Sequence, residues 1–122
     1  IPKSVEVIQD LAFSRRRNLK KVVIPEGVRT IGSDAFSDCD ALEEVTIPST
    51  VETIESYAFA ECDRLRTVTF VGEVKDMSRR AFSDCDQLRH IYVPVGNREK
   101  TIKQLHFSEE NDDIVIEKDV EK

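Results

Sequence analysis

A repeat of 23 residues runs through most of this chain. The dipeptide Ala-Phe recurs at that interval, at Ala12-Phe13, Ala35-Phe36, Ala58-Phe59 and Ala81-Phe82. A column of leucines keeps the same step, at Leu19, Leu42, Leu65 and Leu88. A fixed period of roughly 20–29 residues with several apolar columns is typical of a solenoid. Each repeat then forms one coil, and the coils must stack because none can bury its apolar side alone.

Within one coil, the second half alternates between apolar and polar residues, as in Leu65 to Phe70. This period of two predicts a strand. Because every coil travels in the same direction, the strands should pair in parallel, near residues 20–24, 43–47, 66–70 and 89–93. Val51 and Ile54 fall in a short extended or turn segment. Tyr57 to Cys62 fits about one helical or 3₁₀ turn, and the phenylalanines should form a continuous buried ladder.

Composition narrows the class of protein. With 122 residues the chain is one domain by size, and 34% charged with 39% hydrophobic residues is typical of an ordered, soluble protein. A net charge of −6 disfavours nucleic acid as the partner. No apolar run approaches the length of a membrane-spanning helix. The basic residues between Arg15 and Lys21 are interpreted as a solvated chain end.

The three cysteines, Cys39, Cys62 and Cys85, occupy one column of the repeat. Stacked strands lie about 4.8 Å apart with parallel side chains, which is unfavourable for a disulfide. We therefore predict reduced, buried thiols that act as small hydrophobes. A metal site is the alternative, but no Cys-x-x-Cys pair or nearby histidine completes a tetrahedral set. No cofactor is predicted.

Two columns of acidic residues could in principle bind Ca²⁺. They are Asp38, Glu61 and Asp84, and Asp40, Asp63 and Asp86. Because the repeat lacks the glycine-rich nonapeptide that chelates calcium between turns, solvated turn carboxylates are the favoured interpretation. A further column, Glu6, Arg29, Glu52 and Lys75, alternates in charge and favours pairing between coils.

Arg16 stands where the later repeats have cysteine. A buried guanidinium without a partner would be very costly. We expect Arg16 to reach solvent in an end coil, so that residues 1–23 lie near the start of the array. The alternative is that Arg16 is buried and pairs with a carboxylate of an upstream coil. The chain opens within the repeat frame at Ile1-Pro2, which indicates a piece of a longer protein.

The repeat unit Ile-Pro-x-x-Val-x-x-Ile-x-x-x-Ala-Phe-x-x-Cys-x-x-Leu-x-x-Val resembles the BspA-like, or Treponema pallidum-type, bacterial leucine-rich repeat over residues 1–96. The resemblance implies a right-handed solenoid of α/β or mainly β class, with a parallel sheet on its concave side and short helical or 3₁₀ turns. It also implies a non-catalytic module for protein binding and adhesion in a cell-surface or secreted bacterial protein. The asparagine ladder of leucine-rich repeats should be absent, because Gly27, Thr50 and Glu73 stand at its position.

The resemblance also suggests how the chain is organised. Residues 1–96 comprise four repeats and the start of a fifth, and residues 97–122 comprise a capping helix, an edge strand and a frayed tail. The helix is expected over residues 97–107, with Asn97 near its start and with Ile102, Leu105 and His106 on its apolar face. An acidic loop from Ser108 to Asp113 precedes a strand at residues 114–116.

The outward face of the strands is the candidate binding surface, because a curved solenoid presents a concave surface to ligands. Its aromatic and basic side chains are of the types that dominate binding energy at interfaces. We expect a monomeric module that binds a host or cell-surface protein through these residues, with no nucleic acid and no membrane insertion. The predicted face comprises Lys21, Glu44, Arg66, Thr67, Thr69, Arg89, His90 and Tyr92.

Two other classes of function stay open. A structural spacer within a larger surface protein should tolerate charge reversal on this face, whereas a binding module should lose its partner. An enzyme would need a convergent pocket and a perturbed acid–base pair. The repeat supplies no such partner for either histidine, His90 or His106.

Overall fold

The computed structural model describes residues 4–106 and 112–118. The chain is a parallel-sheet solenoid in which successive coils stack along one axis. Two sheets run along the stack, one of five strands and one of four. The strands, in chain order, are β1 Val7–Ile8, β2 Lys21–Val23, β3 Thr30–Ile31, β4 Glu44–Ile47, β5 Thr53–Ile54, β6 Thr67–Phe70, β7 Asp76–Met77, β8 His90–Val93 and β9 Val115–Glu117.

The five-stranded sheet has the order β2-β4-β6-β8-β9. Its first four strands confirm the predicted positions and pair in parallel with a register shift of one repeat, so that Val22 lies beside Val45 and Val45 beside Val68. The period of two places Val22, Val45, Val68 and Ile91 inward, and mainly polar residues, together with Val23, outward. Register is therefore set by burial, since a slip of one residue would turn every apolar side chain to solvent.

The four-stranded sheet, β1-β3-β5-β7, was predicted only as extended or turn segments. Each of its strands has two residues, and in β5 Thr53 is half-buried while Ile54 is buried. Such a segment is too short to show a period in the sequence. It becomes a strand because Ile54 pairs in parallel with Ile31 and Met77 of the adjacent coils.

Between the two sheets, each coil makes consecutive hydrogen-bonded turns in place of a regular helix. In the third coil, Ala58 and Ala60 donate their N–H groups to the carbonyls of Glu55 and Tyr57, three residues back. The intervening N–H groups, of Phe59 and Glu61, donate instead to the next coil. Tyr57 and Glu61 have φ of 63° and 56°. The left-handed residues direct every second N–H group towards the next coil. The turns are therefore hydrogen-bonded both within one coil and between adjacent coils.

The phenylalanine rings form the predicted ladder. The ring centroids of Phe13, Phe36, Phe59 and Phe82 are separated in turn by 5.0, 5.1 and 5.3 Å, and the rings are nearly parallel. Phe36 and Phe59 are fully buried. Phe13 is only half-buried, which corrects the prediction of burial throughout, because no described coil covers its second face. That face carries the Arg16 guanidinium, whose central carbon lies 5.8 Å from the ring centroid.

Arg16 is therefore exposed, as expected for the side chain that replaces cysteine. The cysteines of the later coils lie inside the turns, and each thiol donates to the carbonyl of the phenylalanine one coil earlier. These S···O distances are 3.3 Å from Cys39, 3.2 Å from Cys62 and 3.0 Å from Cys85. Cysteine suits this column because it is small and apolar and still supplies one weak donor.

All three cysteines are free, but their burial differs. Cys39 and Cys62 are fully buried, whereas Cys85 is partly exposed, so the prediction that every thiol is inaccessible was wrong for Cys85. The neighbouring Cys39 and Cys85 thiols, together with burial, raise the pKa of the Cys62 thiol. Cys62 therefore stays protonated and unreactive in the folded chain.

The position of the asparagine ladder of other leucine-rich repeats, which was predicted to be absent here, carries a different set of hydrogen bonds. The Thr50 hydroxyl accepts from the Gly27 N–H at 3.0 Å and donates to the Val28 carbonyl at 2.8 Å, so one side chain joins two coils. Gly27 has φ of 106°, a backbone conformation that favours glycine. Farther along the stack, Gly72 lies against Ser49 so closely that an added Cβ would come within 2.8 Å of the serine Cβ.

Helix α1, Arg98–Leu105, follows β8 and begins after Asn97, as predicted. Leu105 is buried and Ile102 packs against the core. His106 ends the helix in a left-handed conformation and is exposed, so it does not belong to the apolar face. Gln104 donates to the Val74 carbonyl, and Lys100 pairs with Glu73, lowering the pKa of that carboxyl.

A short 3₁₀ helix, Asp112–Ile114, leads into β9, which begins one residue later than predicted and pairs in parallel with β8. The predicted acidic loop lies partly outside the described residues, and the predicted frayed tail wholly so.

Candidate binding face

The outward side of the five-stranded sheet, which we call the sheet face, carries the site predicted from the sequence. Two columns cross its strands. The first contains Lys21, Glu44, Thr67 and His90, and the second contains Val23, Thr46, Thr69 and Tyr92. A third column, formed by Lys20, Glu43, Arg66 and Arg89, lies just before the strands. The structure thus places six of the eight predicted residues on the outward columns of the strands, and the other two, Arg66 and Arg89, just before β6 and β8.

Two ion pairs lie on the part of the sheet face from β2 to β6. Lys21 lies 3.8 Å from Glu44, and Arg66 lies 3.3 Å from Glu43, each pair joining adjacent coils. The side chains are about half exposed or more, so each pair contributes at most about 1 kcal/mol to stability. Lys20, in the third column at the β2 end, is exposed and makes no ion pair with a carboxylate among the described residues.

The opposite end of the sheet face is different, because its polar side chains stack on one another. The rings of His90 and Tyr92 are parallel to within 3°, with their centroids 5.8 Å apart. The Lys118 ammonium lies 4.7 Å from the Tyr92 ring centroid, within the range of a cation–π contact. The His90 imidazole, the Tyr92 phenol and the Lys118 ammonium are therefore stacked in a row, the first two on β8 and the third just after β9. His90 and Lys118 are exposed.

Arg89 lies at the start of this row and is also exposed. Its guanidinium donates to the carbonyls of Asp86 and Leu88, at 3.1 and 3.2 Å. Among the described residues neither Arg89 nor Lys118 makes an ion pair with a carboxylate. We call Arg89, His90, Tyr92 and Lys118, with their neighbour Ile116, the β8–β9 patch.

Two members of this patch, Ile116 and Lys118, were not predicted as site residues. The sequence indicated a last strand near them, but nothing in it showed which strand would be its partner. The parallel pairing of Tyr92 with Ile116 brings β9 onto the sheet face. Lys118 follows β9 directly, and its N–H donates to the Val93 carbonyl at 2.9 Å.

A shallow apolar groove of about 280 Å³ lies at the ends of the first strands, beside the sheet face. Val23, which is exposed, and Pro25, Pro48 and Val71 line it. It extends the sheet face towards the proline column of the repeat.

The acidic columns lie on and after the turns, where Asp63 lines a cavity together with Arg66, and Asp84 and Asp86 line another together with Arg89. Repulsion by Asp38, and to a lesser degree by Asp84 and Asp63, raises the pKa of the exposed Glu61 carboxyl. Within residues 4–106 and 112–118 no group of three or more potential ligands is arranged to hold a metal ion. The exposed Arg29 pairs with Glu6 at 4.0 Å and with Glu52 at 3.1 Å, as the alternating charge predicted. Lys75, the last member of that column, makes no ion pair among the described residues.

The fold and its residue columns define a leucine-rich repeat solenoid, a class that is generally non-catalytic and generally binds proteins. The family model described as the BspA type leucine rich repeat region (6 copies) matches residues 1–112, and the chain belongs to this family. This confirms the resemblance drawn from the repeat unit.

The solved structures that are similar to this chain include two bacterial proteins. A leucine rich cell surface protein from Faecalibacterium prausnitzii A2-165 shares 34% identity with a TM-score of 0.65, over 70% of this chain and 22% of that one. The pneumococcal vaccine antigen PcpA shares 21% identity with a TM-score of 0.74, over 98% of this chain and 29% of that one. The chain thus spans less than a third of either protein. No match was found among curated proteins.

In the part of the chain that the structure describes, no helix is both long and apolar enough to cross a membrane.

Proposed function

We propose that this chain is a non-catalytic protein-interaction or adhesion module of a bacterial cell-surface or secreted protein, and that it binds its partner through the sheet face. The observation that carries the proposal is the β8–β9 patch. The patch contains a partly exposed aromatic ring, that of Tyr92, and two cations, Arg89 and Lys118. Neither cation has a carboxylate partner among the described residues. Tyrosine and arginine are enriched among the residues that dominate binding energy.

The similar structures support the same setting. One of them is a leucine rich cell surface protein and the other is a pneumococcal vaccine antigen. Exposure at a bacterial surface gives an interaction module access to proteins of a host or of another cell. We propose that the module acts as a monomer.

A structural spacer is the second candidate, and the continuity of the stack favours it. The phenylalanine ladder and the ion pairs between coils join each coil to the next, which suits a stiff rod. A spacer needs the stack but not the chemistry of the sheet face.

A pair of matched substitutions separates the two functions. Thr69 and Thr53 are both half-buried threonines on strands, but Thr69 lies on the sheet face and Thr53 on the other sheet. Thr69→Trp should abolish capture of the partner from a cell-surface extract, because the indole blocks the face, while Thr53→Trp should leave capture unchanged. Equal capture by both variants would contradict the proposed face and support the spacer.

A further inference from the structure

From the charges and stacking within the β8–β9 patch, we infer that the partner presents an acidic segment, rich in aspartate or glutamate, which binds across β8 and β9. This inference rests on the proposed function and adds the chemistry of the ligand.

The first argument is the distribution of charge along the sheet face. Lys21 on β2 pairs with Glu44, and Arg66, just before β6, pairs with Glu43. Lys20, at the β2 end, makes neither an ion pair nor a cation–π contact among the described residues. In the β8–β9 patch, Arg89 is held by backbone carbonyls and Lys118 by an aromatic ring. Carbonyl groups and aromatic rings do not neutralise a cation. Arg89 and Lys118 therefore each keep a positive charge with which a carboxylate of the partner can pair.

The second argument is the direction of the carboxylate that β9 itself carries, that of Glu117. Glu117 lies between Ile116 and Lys118 in the sequence, but it accepts from the backbone N–H groups of Gly96 and Arg98, at 3.0 and 3.3 Å. Side chains alternate between the two sides of a strand, so Glu117 projects away from the sheet face. The Glu117 carboxylate therefore lies away from the patch, whereas Lys118 lies on it.

The third argument is preorganisation. Lys118 lies over the Tyr92 ring, and that ring stacks on His90. Arg89 is fixed by two hydrogen bonds. Side chains that are ordered before binding lose less conformational entropy when a ligand arrives. The threonines of β6, Thr67 and Thr69, lie directly beside His90 and Tyr92 and add hydroxyl groups for a polar backbone.

The chain carries a net charge of −6, so an acidic segment is attracted to local cations against a repulsive background. Such binding should weaken as salt screens it.

The test uses fluorescein-labelled hexaglutamate as the probe, with labelled hexaserine as the neutral control, and fluorescence anisotropy as the measurement. The unaltered chain should bind hexaglutamate more tightly than hexaserine, and salt should weaken the difference. Arg89→Glu and Lys118→Glu should each lower the affinity for hexaglutamate at least about tenfold.

Lys20→Glu is the matched control, because Lys20 occupies the same column as Arg89 at the opposite end of the sheet face and the charge change is the same. It should change the affinity less than about twofold. If a reversal prevents folding, judged by circular dichroism, Arg89→Gln and Lys118→Gln replace it and should weaken binding in the same direction.

No preference for hexaglutamate over hexaserine would overturn the inference, as would equal losses in Arg89→Glu and Lys20→Glu. Capture of a partner that is lost in Thr69→Trp but accompanied by no such preference would leave the proposed function standing and reject only the acidic segment.

Discussion

The first and third coils are built on the same sequence template, yet they are packed differently. In the third coil, Phe59 stacks between two rings and Leu65 is fully buried. In the first coil, Phe13 stacks on one ring and Leu19 is only partly buried. Leu11, at the position of Asp34 and Tyr57, is 63% exposed. Burial in a solenoid is thus supplied by the neighbouring coils rather than by the coil itself.

The same comparison explains where the repeat departs from its consensus. Cys62 lies beneath a full coil on each side, whereas Arg16, its counterpart, lies at the surface over Phe13. A long cation is tolerated where one face of the column is open to solvent, and its stem still covers the ring. Four predictions test how far position in the stack, rather than residue type, decides the energetic role of a side chain.

The largest effect is expected from the phenylalanine ladder. Phe59→Ala should lower the free energy of unfolding by about 3–5 kcal/mol, because it leaves a cavity between two coils. Phe13→Ala should cost only about 1–2 kcal/mol, since its ring is half exposed already. Urea unfolding followed by circular dichroism measures both. Equal losses would show that the end of the stack is as tightly packed as its middle.

The cysteines should differ in reactivity by their place in the stack. Cys85 should react with a thiol reagent in the folded chain at least about a hundred times faster than Cys62, which must first be exposed by local opening. The raised pKa of Cys62 adds to this protection because only the thiolate reacts. Variants that each keep one cysteine give the separate rates, and unfolding in urea should remove the difference. Rapid labelling of Cys62 in the folded chain would contradict its burial.

A medium effect is expected where one hydroxyl joins two coils. Thr50→Val leaves the Gly27 N–H and the Val28 carbonyl without this partner, which should cost about 1–3 kcal/mol. Thr53→Val is the control, because no side-chain hydrogen bond of Thr53 is present among the described residues. Thermal unfolding of the two variants compares them. If both have the same midpoint, the hydroxyl of Thr50 does not join the coils in solution.

The smallest effect is expected from the surface charges. Arg29→Ala removes two exposed ion pairs, with Glu6 and Glu52, and should cost about 0.2–1 kcal/mol at low salt and less at high salt. Arg79→Ala, at an exposed position, should change stability still less. Urea titrations at two salt concentrations decide the matter. A loss for Arg29→Ala that does not depend on salt would contradict an electrostatic role.

Much of the sheet face could be predicted from the sequence, because the strands repeat with one period and their outward residues follow from alternation. The pairs Lys21–Glu44 and Arg66–Glu43 lie one repeat apart and so become neighbours once the coils stack. Lys118 and Ile116 could not be placed in this way. They lie beyond the repeat, and their position depends on the pairing of β9 with β8, which no periodic pattern predicts.

The sequence by itself determined the coil, the strands of the larger sheet and the inward columns. A 23-residue period with apolar positions in register buries those positions when the coils stack on one another. The tertiary structure decided the rest. It paired the two-residue strands into a second sheet, left Phe13 and Cys85 partly exposed, and brought Lys118 over Tyr92. These features depend on which coil or strand lies next to a residue, and that neighbour is distant in the chain, so no local pattern of residues specifies it.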